Sequence, residues 1–110
     1  MDEKIREILT SVLLDSIAET QKRSGRLVQP MSEETIPLLD LDGFDSHNGV
    51  EVEVLLSIRL GIEIEKVPFC AGKRGSKELK VKEIVSALAS KYSHALSAFS
   101  DKKAEELVAN

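Results

Sequence analysis

Residues 40–61 read DLDGFDSHNGVEVEVLLSIRLG, and two incompatible backbones compete for them. The segment VEVEV at 50–54 alternates apolar and charged residues with period two, the pattern of a half-buried strand. The pattern then continues through LLSIRL at helical spacing. Asp45 or Ser46 stands just ahead of it, where a side-chain oxygen caps the free N–H groups of a first helical turn. The spacing therefore predicts a helix from Ser46 to about Gly61. Its apolar positions are Val50, Val52, Val54, Leu55, Leu56, Ile58 and Leu60.

On the N-terminal side, Ile5, Ile8, Leu9, Val12, Leu13 and Ile17 recur at steps of three and four, with Glu3, Lys4, Arg6, Glu7 and Asp15 off the stripe. This predicts an amphipathic helix over 3–22 that stops at KRSGR, with Gly25 as the breaker. Residues 23–45 form a long connection interrupted by Pro30 and Pro37. MSEET is expected to make a short turn, and Ile36, Leu38, Leu39 and Leu41 to tuck against the core. Long connections of this kind are often functional. Residues 61–79 are expected to be irregular. Val81, Ile84, Val85, Leu88, Tyr92, Leu96 and Phe99 then predict a helix over 80–98. The expected fold is all-α: a small, mostly antiparallel bundle of three to four helices with long connecting loops. The domain covers 1–99, and 100–110 is a charged C-terminal extension.

A chain of 110 residues with 42% hydrophobic content makes one small domain with a modest core. With 4% aromatic residues, no Trp and a net charge of −4, it lacks the stacking surface and basic patch of a nucleic-acid binder. Cys70 is the single cysteine, which excludes an intramolecular disulfide and a Cys-rich zinc site. The start, MDEKIREI, lacks the apolar core of a signal peptide, and no apolar run reaches membrane-spanning length. A cytoplasmic, monomeric protein without membrane insertion is the expectation.

The acidic loop invites a calcium reading. An EF-hand loop places side-chain oxygens at its first, third and fifth positions, Gly at the sixth and a bidentate Glu at the twelfth. Counted from Asp40, Asp42 and Glu51 fit. Phe44 takes the fifth position, however, and Asp45 the sixth, where the sharp turn needs Gly. The second helix would also start inside the loop. A dedicated calcium site is not expected.

The alternative is a loop that presents a serine. Gly43 permits a tight turn, Phe44 can anchor the loop, and Asp45 and Ser46 fall at a helix N-terminus, which favours a phosphate. His47 is adjacent in sequence, but neighbours on a helix point apart, so nothing nearby activates Ser46 as a nucleophile. Ser46 is thus an attachment point for chemistry done by another protein, or an N-cap and nothing more. Local chemistry alone favours the cap.

The stretch TIPLLDLDGFDSHNGVEVEVLL resembles the heart of an acyl carrier protein. The resemblance rests on Pro37-Leu38-Leu39 leading into Asp42-Gly43-Phe44-Asp45-Ser46, followed by Val50-Glu51. LKVKEIVSAL at 79–88 also resembles the start of that family's closing helix. The resemblance implies a bundle of acyl-carrier type and no enzymatic activity of its own. It implies a 4′-phosphopantetheine arm on Ser46, attached from coenzyme A by a phosphopantetheinyl transferase that uses Mg²⁺, with Asp45 helping to hold the metal. It further implies transport of acyl groups as thioesters in fatty-acid, lipid or polyketide-type biosynthesis. Acyl-loading and acyl-processing enzymes would meet His47, Val50, Glu51 and Val54. The chain departs from the family where His47 replaces the usual Leu after the serine. Asn48, Gly49, Ser57, Ile58 and Arg59 dilute the usual acidity of that helix, leaving Glu51 and Glu53. These departures point to a specialised carrier rather than a housekeeping one. The rival expectation is a helical protein–protein interaction module that lacks the arm.

The remaining chemistry-bearing residues read as incidental. Cys70 is a lone loop thiol. His47 and His94 do not make a metal pair. Lys73, Arg74 and Lys77 read as a solvated basic turn. Because the loop at 40–51 fails the EF-hand pattern, calorimetric titration with micromolar calcium is expected to give no saturable, stoichiometric signal. Regulatory EF-hands saturate at roughly 10⁻⁷–10⁻⁵ M; saturation in that range would restore the calcium reading.

Overall fold

The computed structural model describes residues 3–97. Phe99 and the extension expected at 100–110 lie outside the described residues. The protein is mostly helical with one small two-stranded sheet. Helix α1 is Glu3–Arg23, α2 is Pro37–Asp40, α3 is Ser46–Leu60 and α4 is Val81–Lys91. Strands β1 (Cys70–Ala71) and β2 (Lys77–Glu78) pair antiparallel, with Cys70 opposite Glu78 and Ala71 opposite Lys77. Among the described residues no helix is long and apolar enough to cross a membrane.

Helix α1 packs against both α3 and α4. Its stripe Leu9, Leu13 and Ile17 is fully buried, against Val52, Leu56 and Leu60 of α3 and Val81, Ile84, Val85 and Leu88 of α4 in one core. The ambiguous stretch at 50–54 is helical. Val52, Leu55, Leu56 and Leu60 are buried at helical spacing, and a strand would have put Val50, Val52 and Val54 on one face. Gly61 closes α3 in the left-handed region, at φ 68°, with its N–H on the Ser57 carbonyl.

Three expectations need correction. Pro37–Asp40 is a helical turn rather than loop: Pro37 takes the first position, and Asp40 Oδ2 accepts the Ile36 N–H at 2.7 Å. The span 61–79 is not wholly irregular, since β1, a 3₁₀ turn at Lys73–Gly75 and β2 form a miniature hairpin. The last helix is interrupted at Tyr92, with helical backbone resuming over 93–97. Tyr92 is engaged elsewhere, its hydroxyl accepting the Glu65 N–H at 2.9 Å.

The first connection caps α4. The carbonyls of Thr35 and Glu33 accept the N–H groups of Val81 and Lys82 at 2.8 and 3.0 Å. Glu34 bridges Lys82 at 2.7 Å and Lys80 at 3.0 Å. The hydrogen bonds from Lys82 and then Lys80 hold the Glu34 carboxyl below the ordinary glutamate value of 4.5. Glu83 is also lowered, first by the Lys80 backbone N–H and further by Lys77. Lys80 is raised above 10.5, chiefly by Glu34. A carboxyl lowered in the folded state stabilises above its unfolded pKa and loses that contribution as pH falls through the folded value. A raised lysine stabilises below its unfolded pKa and loses it as pH rises through the folded value. The urea midpoint is therefore expected to drop below pH 4.5 and again above pH 10.5. Glu34→Gln should shallow both limbs. The effect should be small, because these groups are exposed and screened by solvent. Identical pH profiles for the two proteins would discount the bridge.

Candidate functional site

Asp45 is the N-cap of α3, and its Oδ1 accepts the N–H groups of His47 at 3.0 Å and Asn48 at 3.1 Å. Asn48 answers through its Oδ1, which accepts the Asp45 N–H at 3.2 Å. This reciprocal cap occupies two of the N–H groups that the sequence had suggested for a phosphate. The Ser46 N–H takes no partner among the described residues. Ser46 itself is exposed at the first position of α3.

Asn48 is buried, at 4% exposure, and sits at the centre of a polar network. Its Oδ1 also accepts from Arg26 Nη1 at 3.1 Å, and its Nδ2 donates to Ser24 Oγ at 3.2 Å. Gln21, buried in α1, donates to the Asp42 carbonyl at 3.1 Å and accepts from Arg26 at 3.5 Å. The Arg26 guanidinium thus lies beneath the loop that leads to Ser46. A Cβ on Gly43, whose φ is +67°, would stand 2.6 Å from Arg26 Nε. Any side chain there would both strain the backbone and displace the guanidinium.

Phe44 is buried, and its ring meets Phe69 at 5.2 Å between centroids with the planes tilted by 58°. Phe69 also packs on the bare face of Gly49, where a Cβ would come to 3.3 Å. Residues 66–70 therefore run close beside the first two turns of α3. Between them lies a cavity of about 520 Å³. Ser46, Gly49, Val50 and Glu53 line its α3 side, and Val67, Pro68 and Phe69 much of the opposite wall. Asp45 stands at the Ser46 end, and Leu38, Lys66 and Cys70 complete the lining.

The expected partner residues are placed as follows. His47, Val50 and Val54 are exposed and Glu51 is half-buried. Val50 at 56%, Val54 at 54% and Ile58 at 72% exposure recur every four residues and form an open apolar stripe on α3 with His47 at its head. Leu39 was expected in the core and is 62% exposed. It sits in the short α2, where Pro37 takes the inward position, and Leu41, just past the helix, is buried as well. Cys70 is exposed and free. Lys73 is exposed as expected, and Lys77 bridges Glu83 at 3.4 Å. The side chain of Arg74 lies outside the described residues.

Sequence reasoning missed three roles. Asn48 and Ser57 read as lost surface charges, and Glu53 as a remaining one. Ser57 Oγ instead donates to the Glu53 carbonyl at 2.9 Å and accepts the Ile64 N–H at 3.0 Å. Glu53 Oε1 accepts the Val67 N–H at 3.1 Å. The spacing held a signal for one of them: Gly49, Val50 and Glu53 follow Ser46 by three, four and seven residues, the positions that share a helix face.

Among the described residues no group of three or more His, Cys, Asp or Glu side chains could hold a metal ion. The loop at 40–51 spends its oxygens elsewhere, Asp40 on Ile36 and Asp45 on the cap. No family model, curated protein or solved structure matches the chain.

Asn48→Ala would leave the Asp45 N–H and the Arg26 guanidinium without their buried acceptor. The expected cost is about 1–3 kcal/mol in unfolding free energy, read by urea denaturation. Asn48→Asp keeps the acceptor and should lose less. Equal losses in the two variants would show that the network does not depend on that oxygen.

Proposed function

We propose that this chain is a carrier protein of acyl-carrier type, with its helices forming that family's bundle and a 4′-phosphopantetheine arm attached to Ser46. The observation that carries the reading is the position of Ser46: exposed, at the first turn of a capped helix, and on the rim of a cavity of about 520 Å³. The arm fits what surrounds it. The Ser46 N–H takes no partner among the described residues and stands at a helix N-terminus, which favours a phosphodiester, and the cavity beside it suits a mostly apolar chain.

Attachment belongs to a separate phosphopantetheinyl transferase using coenzyme A and Mg²⁺. The Ser46 Oγ–P bond forms, the pyrophosphate P–O bond of coenzyme A breaks to release adenosine 3′,5′-bisphosphate, and the serine proton passes to a base of the transferase. Asp45 Oδ1 is held by the cap, while its Oδ2 takes no hydrogen bond among the described residues and is left for the transferase's metal. When bound, the arm supplies a terminal thiol that holds an acyl group as a thioester. The chain's own residues seat and present it. Tethering raises the effective concentration of the cargo at partner enzymes, so the protein needs no catalytic groups.

His47 and the apolar stripe Val50, Val54 and Ile58 support a specialised member of that type; the proposed setting is a cytoplasmic pathway of fatty-acid, lipid or polyketide type. A partner for this stripe would present an apolar surface rather than only a basic one. The same stripe favours the second reading, a helical interaction module without an arm, because open apolar residues on one face mark protein contacts.

The two readings separate by intact mass. After co-expression with a broad-specificity phosphopantetheinyl transferase, the chain is expected to gain the mass of one phosphopantetheine, and Ser46→Ala to abolish the gain. Modification at Ser57 or Ser76 instead would overturn the site. No gain with several transferases would favour the module.

A further inference from the structure

The cavity beside Ser46 is lined by a carboxylate of which only one oxygen is used by the wall. Glu53 lines the cavity, and its Oε1 accepts the Val67 N–H at 3.1 Å. Its Oε2 takes no hydrogen bond among the described residues, and Glu53 is in none of the salt bridges there. Val50 from α3, and Val67, Pro68 and Phe69 opposite, make the wall near it mostly apolar, with Lys66 also in the lining but in no ion pair with Glu53. Glu53 is half-buried, so this oxygen is an open acceptor on the groove, available to a donor laid along it.

The wall that frames Glu53 is held in place. Ser57 Oγ accepts the Ile64 N–H at 3.0 Å, Tyr92 Oη the Glu65 N–H at 2.9 Å, and Glu53 the Val67 N–H at 3.1 Å. Phe69 is then pressed on Gly49 and Phe44. The groove between α3 and 66–70 is a built feature rather than the slack of a long loop.

The distance from Ser46 matches the arm. Glu53 follows Ser46 on the same helix face, about 10 Å along the axis at 1.5 Å per residue. A phosphopantetheine arm laid along the groove from the Ser46 oxygen passes its phosphate and branched pantoyl carbons first. At that distance it presents its amide groups, and its thiol lies farther on. Those amides are the arm's N–H donors on an otherwise largely apolar chain.

Resting on the carrier reading, we infer that Glu53 is a positioning residue that accepts an amide N–H of the Ser46-borne arm and seats the arm in the groove between α3 and residues 66–70. One oxygen of Glu53 fixes the groove wall at Val67, and the other fixes the arm. The seated arm is drawn along the protein surface, and partner enzymes must release it to reach the thiol.

The test uses the full chain carrying a ¹⁵N-labelled phosphopantetheine arm, with hydrogen exchange of the arm amides and of the Val67 amide followed by NMR. In the unsubstituted chain an arm amide is expected to exchange about tenfold more slowly than in free pantetheine, the effect of one hydrogen bond to a charged acceptor. Glu53→Gln retains one carbonyl oxygen for Val67 but replaces the other with a donor. It should keep Val67 protected and return the arm to free exchange. Glu53→Leu should release both. Arm amides that exchange as in free pantetheine in the unsubstituted chain would overturn the inference, as would equal arm protection in all three proteins. Loss of arm and Val67 protection together in Glu53→Gln would reduce Glu53 to a wall residue and also overturn it. Mass gain at Ser46 is read first on every sample. Its absence overturns the carrier reading and the inference with it, whereas mass gain with a freely exchanging arm overturns the inference alone.

Discussion

One buried carboxamide decides where the central helix begins. Asn48 accepts the Asp45 N–H at 3.2 Å and the Arg26 guanidinium at 3.1 Å through a single oxygen, and donates to Ser24 at 3.2 Å. Its first bond sets the start of α3, and the others tie that start to the end of α1. Polar groups removed from water must all find partners, and a network that is complete locks a unique arrangement. The Arg26 guanidinium then occupies the space under Gly43, so the loop can pass over it only where there is no side chain. The exposure of Ser46 follows from this: with Asp45 and Asn48 turned to each other and Phe44 buried, the first helical residue faces outward.

The connections obey the same requirement. Backbone groups in long loops lack helix or sheet partners, yet they pack against the core here and must be satisfied. Side chains on neighbouring helices, or at the end of one, do this. Ser57 serves Ile64, Tyr92 serves Glu65 and Glu53 serves Val67. The exchange also runs the other way, because the carbonyls of Glu33 and Thr35 finish the open end of α4. The protein is therefore stitched by side chains on well-formed helices reaching into loops. A substitution on a helix can deform a loop some distance along the chain, as Glu53 could at Val67.

This pattern explains what was legible in the sequence. The three longer helices could be read because their signal is local and periodic: the stripe from Ile5 to Ile17 and that from Val81 to Leu88 give faces directly. The stretch at 50–54 was ambiguous because valine and glutamate satisfy both periods there, and the cap at Asp45 broke the tie. The buried role of Asn48 was hidden because its partners Arg26 and Ser24 lie more than twenty residues away. Ser57 and Glu53 looked like surface positions because their partners, the Ile64 and Val67 N–H groups, lie in a connection whose path the helical period does not reveal. Leu39 misled because a leucine in a four-residue helix faces outward or inward according to where proline starts the turn. The hairpin at 70–78 was invisible, since two-residue strands carry no period. The helix start at Ser46 was readable; the groove beside it was not, because its far wall comes from residues 66–70.

Helix α3 carries three jobs on three faces. Val52, Leu56 and Leu60 face the core. Ser46, Gly49, Val50 and Glu53 face the groove. His47, Val54 and Ile58 face outward, and Val50 stands where groove and outer stripe meet. At 3.6 residues per turn a helix of this length can keep such faces separate only if each is narrow. The groove face then favours glycine at 49, because a Cβ there would stand 3.3 Å from the Phe69 ring and make it give by a few tenths of an ångström. Glycine in a helix interior costs about 0.5–1 kcal/mol relative to alanine. That cost is offset by the packing of Phe69 against Phe44 and α3, which closes the groove beside Ser46. The position that weakens α3 as an isolated helix is thus the one that lets the second connection lie against it.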